Sequence, residues 1–189
     1  MSNLNIYIMG IKNKITGDYK YFVTLTVVDW VDIFTRPVYK HIILYALEYC
    51  QVNKGLIIYA WCIMSNHLHL IIDAKVGFNL SDILRDFKKY TSKEILKTIK
   101  EFPESRRRWL LSRFEHASKY NGKIRNYKFW KDGNEAKEID TGKFLEEKLD
   151  YIHLNPVYAE IVDSAEEYRY SSARDYCGQK GLINIEKID

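Results

Sequence analysis

Apolar positions along the chain fall into runs that change period several times. Residues 21–28, Tyr-Phe-Val-Thr-Leu-Thr-Val-Val, are aromatic and β-branched with no turn former, which predicts a strand. Over 35–50 the period becomes helical. Thr35 is placed to cap, Pro37 falls in the first turn, and Ile42, Ile43, Ala46 and Leu47 recur on one side. Two further strands are predicted over 56–64 and 67–73, joined by a Ser65-Asn66 turn as an antiparallel hairpin. Asn79 or Ser81 caps a helix running to about Lys100, with Leu80, Ile83, Leu84, Phe87, Ile95 and Leu96 as its apolar stripe. Pro103 breaks it, and a second helix over 104–120 ends at Asn121-Gly122. Residues 124–139 read as irregular, with a turn at Asp132-Gly133-Asn134. A last helix over 141–153 is ended by Asn155-Pro156, and 168–175 resists assignment. Strands first, then interposed helices, predict an α+β fold with an antiparallel sheet.

Composition narrows the class. At 189 residues, 47% hydrophobic and 29% charged, the chain is read as one domain with a sizeable core. Its apolar runs fall short of the roughly 20 residues that span a membrane, so no membrane partner is expected. The first residues lack a basic segment followed by an apolar block, so no secretory signal is read. Cys50, Cys62 and Cys177 are odd in number and widely spaced, which suits a reducing, cytoplasmic setting rather than a disulfide framework.

The net charge of +4 is unevenly placed. Residues 85–131 hold 15 Lys/Arg against 5 Asp/Glu, and the remainder is net acidic. A basic block in a mildly acidic chain points to a polyanion surface, or to a solvated helical face. The phosphate-contact candidates are Lys88, Lys89, Arg106, Arg107, Arg108, Lys119, Lys123 and Arg125, with Trp109, Tyr120 and Tyr127 as candidates for base stacking or core packing.

Two of the five histidines, His67 and His69, are one residue apart on a predicted strand and so project from one face, while Leu68 and Leu70 point to the core. Such a pair is a two-point metal ligand or two polar residues on a wet face. On the last helix Tyr151 lies off the Leu145–Leu149–Ile152 stripe, grouped with Phe144, Lys148 and Asn155. A phenol near a supporting lysine and an amide suits a nucleophile beside a hard cation; the same phenol also suits packing with a wet hydroxyl. His153 faces away, and Tyr90, on a basic helix, is the fallback nucleophile.

Four segments carry a family resemblance. Tyr59-Ala60-Trp61-Cys62-Ile63-Met64-Ser65-Asn66-His67-Leu68-His69-Leu70-Ile71 resembles the histidine–hydrophobic–histidine (HUH) block of single-tyrosine insertion-sequence transposases. Asp150-Tyr151-Ile152-His153-Leu154-Asn155-Pro156-Val157 resembles the tyrosine helix of their REP-associated branch. Lys128-Phe129-Trp130-Lys131-Asp132-Gly133-Asn134 and Tyr170-Ser171-Ser172-Ala173-Arg174-Asp175-Tyr176 are similar to the segments before and after that helix.

The resemblance implies a ferredoxin-like α/β plait of the kind shared by rolling-circle initiators and relaxases, with extra helices. It implies a Mg²⁺ or Mn²⁺ ion on His67, His69 and Asn155, and Tyr151 as nucleophile. The implied reaction is transesterification of hairpin-forming single-stranded DNA through a 5′-phosphotyrosine, by a monomer or homodimer whose tyrosine comes from either chain. A non-catalytic DNA-binding descendant, a replication initiator or relaxase, and a metal hydrolase of small molecules are the alternatives. Two departures are Ser65 where the family commonly has Pro, and Glu135 where a histidine is expected. A basic insertion at about 101–123 and a tail at about 177–189 are the expected appendages.

Overall fold

The computed structural model describes Ile15 and residues 19–119 and 126–188. In chain order its elements are β1 (Tyr21–Thr26), α1 (Pro37–Lys54), β2 (Leu56–Ile63), β3 (His67–Ala74), α2 (Leu80–Glu101), α3 (Arg107–Lys119), β4 (Lys137–Glu138), α4 (Gly142–Tyr158) and α5 (Ala173–Tyr176). The sheet runs β2–β3–β1–β4 with every neighbouring pair antiparallel. This is the expected plait.

Alternation along the strands builds two cores. Val23, Leu25, Trp61, Ile63, Leu68 and Leu70 pack with α1 and α2 on one face, and Phe22, Ala60, Cys62 and Ile71 with α4 on the other. One extra residue in β2 makes this possible. Ile58 pairs with Ile72 and Ala60 with Ile71, so Tyr59 is a bulge, and past it the strand's phase inverts.

Several predicted boundaries move for identifiable reasons. β1 stops at Thr26, because Val27 N–H bonds to Asn66 O and the chain enters a 3-10 turn at Val28–Trp30. In that turn Asp29 and Trp30 both hold φ 53°, at a cost of order 1 kcal/mol each for residues with a Cβ. Arg36, not Thr35, occupies the N-cap position of α1, with no side-chain cap bond; the Thr35 hydroxyl donates instead to Asp32 O. Asn79 is the cap of α2, its Oδ1 accepting from Asp82 N–H. α3 begins at Arg107, because the Glu104 carboxylate accepts from Arg106 N–H just before it. The predicted stop at Asn121-Gly122 lies outside the described residues.

Two corrections matter for function. α4 does not end at Asn155-Pro156 but continues to Tyr158. Proline removes one N–H in the last turn, and Ala159 N–H to Asn155 O and Ile161 N–H to Pro156 O carry the bonding past it. Asn155 is therefore helical, one turn beyond Tyr151. The unassigned stretch 168–175 closes the free edge of β2: Ile63 N–H bonds to Tyr170 O and Ser172 N–H to Trp61 O, both at 2.9 Å. Edge pairing of this kind leaves no local periodicity to read.

Candidate active site

His67 and His69 stand on the α4 face of β3, as the alternation requires. Opposite them on β1 are Thr26 and Thr24. Their rings lie 4.6 Å apart, edge to face. His69 is 3% exposed and stacks on Phe22 at 5.5 Å. The Tyr151 ring, 41% exposed, lies 5.1 Å from His69 and 5.9 Å from Phe22. Hairpin and late helix thus meet within one chain. The Lys148 ammonium stands 5.6 Å from the centroid of the Tyr151 ring, among the rings of Phe22 and Phe144. Tyr90 belongs to α2, on the opposite face of the sheet, where its ring is 6.4 Å from that of Tyr45.

Hydrogen bonds orient both imidazoles. Asn66 Nδ2 donates to Trp30 O, so its Oδ1 faces His67 and accepts from Nδ1 at 2.6 Å. That fixes the tautomer and leaves His67 Nε2 as a lone pair. His69 Nδ1 meets Thr24 Oγ1 at 3.0 Å, and its Nε2 is buried with no partner. An orphaned buried nitrogen is costly unless something completes it. Among the described residues no third His, Cys, Asp or Glu converges on the pair. Two Nε2 atoms presented side by side fit a divalent ion as two of its ligands, and Asn155, one turn beyond Tyr151 on α4, has no side-chain contact with the pair that would make it the third.

His153 faces away from the pair, as its helical phase predicts. It is buried, with Nε2 2.8 Å from Ser172 Oγ, and so ties α4 to the segment along β2. Burial holds His67 and His153 neutral down to about 4 and His69 to about 3, the last with a smaller push from His67. The unfolded chain protonates each near 6.5. The stability due to the neutral rings is therefore whole above pH 6.5 and is lost as pH falls toward 4. In the presence of chelator, urea unfolding should lose up to about 1.4 kcal/mol per pH unit for each of these histidines below pH 6.5. A flat profile between pH 7 and 5 would show that they are not buried neutral.

The basic candidates divide by what they touch. Lys88 Nζ donates to Lys131 O, Gly133 O and Asn134 Oδ1, and burial lowers it to about 8. It is a strut for the Asp132-Gly133-Asn134 turn. Arg106 pairs with Asp32 at 2.7 Å, and Arg107 donates to Ile99 O and Phe102 O at the end of α2. Lys89, Arg108 and Lys119 face solvent; Lys123, Arg125 and Tyr120 lie outside the described residues. Trp109 is 44% exposed between the guanidiniums of Arg106 and Arg113, and Tyr127 lies under Lys100. Lys88→Ala should cost about 1 kcal/mol by removing the donor that ties together half-buried and exposed acceptors of the turn. Lys89→Ala and Arg108→Ala should leave stability within about 0.5 kcal/mol. Thermal melts of the three variants separate these roles, and a Lys88→Ala melt matching that of Lys89→Ala would contradict the strut.

Sequence reasoning missed Phe22, Thr24 and Trp30, which build the floor and rim of the site. The alternation of 21–26 puts Phe22 and Thr24 on one face, but which strand that face would join is not written locally.

Comparison with solved structures finds a REP-associated tyrosine transposase bound to a REP hairpin. It shares 17% identity over 96% of this chain and 94% of that one, with a TM-score of 0.63, which establishes a common fold. A transposase candidate from Deinococcus radiodurans R1 matches over 58% of this chain and 97% of its own, at 12% identity and a TM-score of 0.38. No curated protein matches. A family model described as "Transposase IS200 like" matches residues 16–123, which hold the histidine hairpin and both crossover helices. Since that match takes in more than half of the chain, the protein belongs to the IS200-like transposase family.

Proposed function

We propose that the protein cuts and rejoins single-stranded DNA by transesterification, with Tyr151 as nucleophile. The observation that carries this reading is the edge-to-face meeting of Tyr151 with His69 at 5.1 Å, beside an imidazole nitrogen that is buried and unpartnered. Two polar groups remote in sequence have little packing reason to converge there. A hydrophobic pair would serve the fold better.

The Tyr151 oxygen attacks the scissile phosphorus in line, forming the Tyr–O–P bond as the P–O3′ bond breaks. The phenol proton leaves to solvent through the open side of the ring. The departing 3′ oxygen takes up a proton and becomes a free hydroxyl. That hydroxyl, or one from another strand, attacks the phosphotyrosine and restores a DNA linkage. Bond energy is conserved throughout, and no nucleotide cofactor enters the balance. Lys148 sets a positive charge beside the attacked phosphate, and Phe22 supports the His69 ring by stacking on it. A Mg²⁺ or Mn²⁺ ion held by His67, His69 and Asn155 would supply neutralisation of the phosphate's developing charge.

Support for the substrate class comes from the fold neighbour, itself bound to a REP hairpin. We assign this chain hairpin-bearing single-stranded DNA in the cytoplasm, with the solvent-facing Lys89, Arg108 and Lys119 and the basic residues near 123–125 as phosphate contacts. The test is a library of 3′-labelled hairpins with randomised single-stranded flanks, incubated with protein and Mn²⁺. The label should move with the protein through denaturing gel electrophoresis, while a new 3′-hydroxyl fragment appears. Label that never becomes protein-bound would overturn the reading.

A further inference from the structure

Trp30 is 57% exposed, although tryptophan is among the side chains most rewarded by burial. It sits at the tip of the Val28–Trp30 turn, with both Asp29 and Trp30 in the left-handed region. Backbone of that kind persists only where surroundings impose it. Here Asn66 Nδ2 donates to Trp30 O at 3.2 Å while Asn66 Oδ1 accepts from His67, so one side chain ties the indole-bearing turn to the histidine. The indole lies 6.2 Å from the His67 ring, edge to face. Lys131 Nζ stands 3.9 Å from the indole centroid, and its own backbone N–H bonds to Thr26 O, opposite His67. An exposed aromatic plate and a cation are thus mounted on the strand ends that hold the candidate site.

We propose that Trp30 and Lys131 form the seat of one unpaired nucleotide next to the scissile linkage, the base stacking on the indole and its phosphate meeting the ammonium. The chemistry recognised is that of single-stranded DNA: every base offers a π-face, and each phosphate a charge for Lys131. The proposal rests on the reading of the site as a DNA strand-transfer centre. It adds where the strand runs, from the Tyr151 side past the histidines and out over the turn. The seat is sequence-tolerant, since stacking without base-edge contacts reads no particular base.

The test uses binding rather than cleavage, so that its failure is distinct from failure of the nucleophile. A Tyr151→Phe parent is titrated by fluorescence anisotropy with a DNA hairpin carrying short unpaired flanks, and with versions bearing one abasic site at each flank position. Trp30→Ala should weaken binding of the intact strand about tenfold or more, and Trp30→Tyr should recover most of it. At one position the abasic site should weaken the parent by a similar factor and leave Trp30→Ala unchanged. Such coupling is a signature that mere loss of structure does not produce. Lys131→Gln should lower the slope of log affinity against log salt by about 0.7. If Trp30→Ala fails to fold, Trp30→Tyr, Lys131→Gln and the abasic series on the parent still decide. Abasic penalties that are equal in parent and variant, or absent at every position, overturn the seat, whether or not the wild-type protein forms its covalent product.

Discussion

Replacing Tyr151 by phenylalanine should abolish the covalent protein–DNA product, by at least about 10³-fold, while the fold and DNA binding survive. The change removes one oxygen. The ring keeps its edge contacts with His69 at 5.1 Å and Phe22 at 5.9 Å, so no cavity opens. The residue is 41% exposed, so stability should move by no more than about 0.5 kcal/mol. An unchanged melt with no adduct isolates the nucleophile from the scaffold. An adduct that persists at wild-type level in this variant would remove Tyr151 from the chemistry. Tyr90 would be a poor replacement, since it lies on the other face of the sheet.

His69→Phe should remove the response to divalent cation. On the proposed reading, a cation completing the orphaned Nε2 of the wild-type protein would bind the folded state alone and would stabilise it by RT ln(1 + [L]/Kd), about 2.7 kcal/mol at a hundred times Kd. For a chain of this length that is a rise in Tm of roughly 5–10 °C with Mn²⁺. Phenylalanine preserves the stack on Phe22 and relieves the unpartnered nitrogen, at the cost of leaving Thr24 Oγ1 without its imidazole. The apo melting temperature should therefore change little, while the Mn²⁺-dependent rise disappears and adduct formation falls with it. Equal Mn²⁺ shifts in wild-type and variant proteins would place the cation elsewhere.

Much of this site is legible from the sequence, and for physical reasons. Strand periodicity alone sets His67 and His69 on one face with Leu68 and Leu70 on the other, and the ladder keeps that order. Helical phase alone groups Tyr151 with Lys148 and turns His153 away. What no local pattern could supply is pairing. β4 is two residues long and the 168–175 segment is an edge partner, so neither has a period of its own. The Tyr59 bulge reverses the phase of β2 at one residue. Charge counting does not separate the basic residues, for a related reason. Lys88, Arg106 and Arg107 carry the same formal charge as Lys89 and Arg108, and only their acceptors in three dimensions reveal them as internal ties. The proline at 156 misplaced the helix end, because a proline's missing donor matters less in a final turn whose bonding the following residues continue.

Trp30 was invisible for a different reason. A tryptophan after an aspartate in a short connection carries no signal of exposure, and its meaning lies in the Asn66 and Lys131 contacts that fix it over the site. Its position extends the proposed strand path beyond the residues to which the exchange is assigned under the proposed function.

The most direct measurement is the identity of the residue that carries DNA. After reaction with a hairpin library and nuclease trimming, the covalent product is digested with trypsin and sequenced by tandem mass spectrometry. The account predicts a nucleotide phosphate on the Tyr151 oxygen, dependent on Mn²⁺ and absent from the His69→Phe protein. A nucleotide found on another residue, or on Tyr151 at equal yield when His69 is gone, would contradict it.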